Sequence, residues 1–116
     1  TAYFNRGLLY QSGFQQLGLQ ELEGISKAIN EYSKSISLDP DYVKALSNRG
    51  MLNAMLEKFE PAIDDLSRVI ALNPEVADAY YTRGLTYQMQ GDETRSKLDF
   101  QKAIQLDPGY KDRIQN

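Results

Sequence analysis

The sequence predicts an all-α fold: an α-solenoid of three stacked antiparallel helix pairs, followed by the start of a capping helix. Three observations carry that prediction. Pro40, Pro74 and Pro108 stand 34 residues apart, and each closes one phrase: Ile36-Ser-Leu-Asp-Pro40, Ile70-Ala-Leu-Asn-Pro74 and Ile104-Gln-Leu-Asp-Pro108. A second phrase, a large apolar residue followed by arginine and glycine, ends at Gly7, Gly50 and Gly84, the last two again 34 apart. Between the phrases, Ala62, Ile63, Leu66, Val69 and Ile70 fall at i, i+1, i+4, i+7 and i+8, the spacing of a helix with one wide apolar face. A fixed period of this length means that the folding unit is one supersecondary element stacked on copies of itself.

The first copy spans about residues 1–42 and departs from the other two. From Gly7 to Ala28 is 21 residues, whereas Gly50 to Ala62 and Gly84 to Ser96 are 12, so nine extra residues, near 14–24, separate its helices. Phe14, Leu17, Leu19, Leu22 and Ile25 punctuate the insertion, and Leu22, Ile25 and Ile29 continue the apolar face of the second helix backward. The preferred reading is that both helices extend beyond the solenoid and pack on each other. An apolar tip that docks on a partner or a second copy, with Phe14, Leu17, Leu19 and Leu22 as its contact residues, is the functional alternative. A mobile loop marked by Gly13, Gly18 and Gly24 is the third reading.

The second copy runs from 43 to 76. Pro61 sits in the opening turn of its second helix, where a missing N–H costs little. The third copy runs from 77 to 110, with its first helix from about Glu75 to Met89. Gly91 then supplies a left-handed exit, Asp92 the next N-cap, and the second helix stops near Leu106, ahead of Pro108. Residues 111–116 begin a truncated capping helix or a further repeat. Lys97 and Glu93 replace the apolar Ile63 and Phe59 of the copy before, as befits a unit with less to bury.

Matched columns explain how paired helices meet. Ala28 and Tyr32, Ala62 and Leu66, and Ser96 and Phe100 set a small residue four positions before a large one, so a second helix can come close beside a filled space. Gly7, Gly50 and Gly84 each lower helix propensity by about 1 kcal/mol relative to alanine, and close backbone approach between the paired helices is the expected compensation. Arg6, Arg49 and Arg83 have acids at matched spacing, Glu31, Asp65 and Asp99. Internal ion pairs or bonds to a helix end are favoured over phosphate binding, and Asp64-Asp65 reads as a solvated face plus such a partner.

Composition narrows the function classes. The 116 residues contain no cysteine and no histidine, which removes disulfides, thiolate metal sites, the usual general base near neutral pH and the commonest metal ligand. A formal net charge of −3 offers no basic footprint for nucleic acid or an anionic membrane. No apolar run is long enough to span a bilayer. A chain that opens at Thr1 inside a repeat reads as a piece cut from something longer, so cytoplasmic location is only the default. No cofactor, metal or catalytic role is expected of this segment.

The 34-residue helix–turn–helix unit resembles the tetratricopeptide repeat family. Tyr80, Arg83-Gly84, Tyr87, Gly91, Ser96, Phe100, Ala103 and Pro108 carry the resemblance in the third copy. Leu46, Arg49-Gly50, Ala62, Leu66, Val69 and Pro74 carry it in the second, and Tyr3, Arg6-Gly7, Tyr10, Ala28, Tyr32 and Pro40 in the first. The resemblance implies a right-handed superhelix whose first helices line a concave groove that takes peptides. The residues it places there include Phe4, Asn5 and Leu8 from the first copy, Lys44, Asn48, Met51 and Met55 from the second, and Tyr81, Leu85, Gln88 and Met89 from the third. Methionines adapt to irregular partners, and Asn5 and Asn48 each offer a donor and an acceptor.

One branch of that family clamps the acidic C-terminal tails of chaperones with lysines, an arginine and asparagines. Here the matched positions are Phe4, Leu8, Asn48, Asp78 and Thr82, so one of five survives and chaperone-tail binding is not expected. The leading expectation is an adaptor or scaffold that binds a peptide or helix of a protein partner. Self-association into dimers or longer superhelices, through the insertion and the solenoid ends, is the first alternative. An accessory domain of a larger enzyme is the second.

Overall fold

The computed structural model describes residues 18–114, and these form six helices: α1 Leu19–Leu38, α2 Val43–Met55, α3 Phe59–Leu72, α4 Ala77–Gln90, α5 Glu93–Leu106 and α6 Tyr110–Ile114. Consecutive helices pack in order, α2 on α3 and α4 on α5 most extensively, with α1 on α2 and α3 on α4 joining the pairs. Tyr3, Phe4, Asn5, Arg6, Gly7, Leu8, Tyr10, Phe14 and Leu17 lie outside the described residues. Of the two helices expected to extend through the insertion, the second does reach back to Leu19; the fate of the first also lies outside them.

The apolar face predicted for α3 is the one it buries. Ala62, Leu66 and Val69 are buried, and Ile63 and Ile70 half-buried. Leu46, Val69 and Ala79 form one core cluster drawn from α2, α3 and α4, with Ile36, Val43, Ile70 and Val76 against it. Each successive pair therefore fills the face its predecessor leaves open, which is how a repeat that cannot bury its apolar side alone becomes stable in a stack.

Helix ends follow their local chemistry. Gly91 takes the left-handed φ of 91° after α4. The Asp92 side chain accepts from the Arg95 N–H at 3.1 Å and caps α5. Glu57 occupies the position matching Gly91 one repeat earlier and holds φ 61° without being glycine. α4 begins at Ala77 and not near Glu75, because the Glu75 N–H is drawn to the Asn73 side chain at 3.3 Å. Asp39 accepts likewise from Asp41 N–H, and Asp107 from Gly109 N–H. Leu-Asx-Pro is thus a turn in which the Asx side chain replaces a backbone acceptor while proline ends the helix.

The tight approach at Gly50 and Gly84 is to side chains of the paired helix, not to its backbone. A Cβ on Gly50 would meet Leu66 Cγ at 3.0 Å, and one on Gly84 would meet Phe100 Cε1 at 2.7 Å and Asp99 Cβ at 3.2 Å. Glycine makes room for the large residue of the neighbouring column.

Candidate functional site

Two features recur along the repeat: a polar ladder of arginine, aspartate and serine, and the row of α2 and α4 side chains expected from the sequence to line a groove, termed the wall. In the ladder, Arg49 donates through Nε and Nη2 to both carboxylate oxygens of Asp65, at 2.7 and 2.8 Å, and through Nη1 to Ser33 Oγ at 3.1 Å. Arg83 repeats this with Asp99, at 2.8 and 2.8 Å, and Ser67, at 3.0 Å. Each arginine grips the aspartate of its own pair and the serine of the pair before. The fork geometry of guanidinium makes the carboxylate contact bidentate. Both aspartates are buried, and the Arg83 guanidinium also lies 5.9 and 5.8 Å from the Tyr80 and Tyr87 ring centres.

These bonds raise the affinity of Arg49 and Arg83 for their protons, the aspartate bond being the chief cause in both and burial opposing it. They stay cationic. Glu31, the third acid of the column, is exposed and pairs with Lys34 at 3.8 Å. Ser33 and Ser67 escaped the sequence reading, although their 34-residue recurrence and their 16-residue offset from each arginine were visible signals.

The wall places the expected residues on two helices that touch each other directly. Met51 is 46 % exposed. Lys44 and Gln88 are exposed, and Asn48, Met55, Leu85 and Met89 half-buried. The Asn48 amide donates to the Tyr32 hydroxyl at 3.2 Å, which leaves its carbonyl oxygen as the acceptor. Leu19, at 74 % exposure, and Leu22, at 36 %, lie on α1, remote in sequence from the wall.

At the α4 end the wall meets α6. The Tyr81 ring stands 6.0 Å from Phe100 and 5.0 Å from Tyr110, centre to centre. The Tyr110 hydroxyl donates to Asp78 Oδ1 at 3.2 Å, and the Arg113 guanidinium lies over Tyr110 at 4.8 Å and Tyr81 at 5.9 Å. Burial, then the Asp78 charge, pushes the Tyr110 hydroxyl up to about 12. Burial also raises that of Tyr81.

Among the described residues no group of three or more acidic, histidine or cysteine side chains could hold a metal ion, and no helix is long and apolar enough to cross a membrane. The arrangement offers apolar contact, amides and fixed charges, which is the chemistry of binding.

Comparison with known proteins adds to this. A family model described as TPR repeat matches residues 54–91, and one described as tetratricopeptide repeat matches 77–110. No curated protein matches the chain. Among solved structures, MamA is similar at 34 % identity and TM-score 0.73, over 78 % of this chain and 53 % of its own. YrrB, described as a TPR protein with an unusual peptide-binding site, is similar at 26 % identity and TM-score 0.71, over 78 % of this chain and 46 % of its own. The second TPR of Spaghetti (RPAP3), bound to the HSP90 peptide SRMEEVD, is similar at 26 % identity and TM-score 0.69, over 72 % of this chain and 77 % of its own. The chain spans about half the length of the first two.

Proposed function

Because the chain belongs to the tetratricopeptide repeat family, we propose that it is a protein-interaction module whose α2–α4 wall takes an uncharged or weakly amphipathic segment of a partner. The observation that carries this reading is Met51, a flexible apolar side chain left 46 % exposed on α2. Around it, Asn48 keeps a carbonyl acceptor for a ligand backbone, and Met55, Leu85 and Met89 supply apolar contact. Peptide-bound relatives such as the RPAP3 domain support the use of this fold for peptides.

The acidic peptide of that relative is not the ligand inferred here. A carboxylate needs fixed cations, and Asp78 and Thr82 stand where the clamp has basic residues. Asn48, the retained member, has its amide turned to Tyr32.

A peptide array probed with wild type and with Met51→Glu tests the reading. Binding should fall by about tenfold or more in the variant, equivalent to roughly 1.4 kcal/mol. A control, Leu98→Glu, changes a side chain 61 % exposed on α5 and should leave binding intact. Equal binding by Met51→Glu and wild type would rule the wall out. Light scattering over a concentration series separates this adaptor from a self-associating module, since the adaptor stays monomeric without ligand.

A further inference from the structure

We draw no further inference here: the strongest candidate, the apolar surface patch that Met51 and Met55 of α2 share with Leu85 and Met89 of α4, belongs to the site already described, and nothing in the structure shows what covers it.

Discussion

At Gly84 a single methyl group decides between helix propensity and packing. Alanine would gain about 1 kcal/mol of intrinsic helix preference, but its Cβ would stand 2.7 Å from the Phe100 ring, and overpacking of that kind costs about 1–3 kcal/mol. Gly84→Ala should therefore destabilise in a urea titration, and more than Gly50→Ala, whose Cβ would meet Leu66 Cγ at the longer distance of 3.0 Å. A larger loss at Gly50 would contradict this ranking. Glu57 is the converse case. It holds φ 61° where Gly91 stands one repeat later, so Glu57→Gly should raise stability by about 0.5–1 kcal/mol, visible as a higher denaturation midpoint. Asp99→Ala would leave the Arg83 guanidinium without its bidentate partner and should cost about 2 kcal/mol, against about 0.5–1 kcal/mol for Ser67→Ala. The arginine–aspartate pairs were legible in the sequence because their spacing recurs. The serines are not legible within a single copy, because the bond each makes crosses to the next.

At the scale of the element, α6 carries a signature in alkali. The Tyr110 hydroxyl is raised from an ordinary 10.0 to about 12, so the folded chain prefers it protonated. The contribution of the docked ring is whole below pH 10 and is lost as pH climbs toward 12, when a phenolate would face Asp78. In an ultraviolet difference titration Tyr110 should ionise near pH 12, with Tyr81 also raised above its ordinary value, and Tyr110→Phe should shrink the late step. If the late step keeps its full amplitude in the variant, Tyr110 does not contribute to it. The beginning of a helix after Pro108 was readable from Tyr110 and Ile114. Its seat on α4 was not, since ring-on-ring contact at Tyr81 depends on where two helices cross and leaves no periodic trace. The start of α4 also fell two residues later than propensity indicated, because an Asx side chain captures the Glu75 N–H first.

For the whole molecule, the architecture was the most legible level. Period, proline phrases and one amphipathic face suffice to stack helix pairs, because each of these is a local property repeated. Which residues of α2 and α4 are free for a ligand is less legible: the columns expected to line a groove also hold Asn48 against Tyr32 and Tyr81 against Phe100. In a stack where each unit touches only its neighbours, unfolding is a sum of unit and junction terms. Substitutions at Arg49 and Arg83 should therefore lower cooperativity as well as the midpoint, with Arg83→Leu separating the unfolding of α4–α5 from that of α2–α3 in hydrogen exchange. Uniform exchange across both pairs would show that the apolar junction alone couples them.

Ser33, Arg49 and Asp65 span one rung, and Ser67, Arg83 and Asp99 the next. A cassette cut from proline to proline would carry its guanidinium away from the hydroxyl it was matched to and present it to a stranger. Anyone shuffling modules of this scaffold should make the joins just before the serine and just after the aspartate, so that every transplanted block arrives with its own latch.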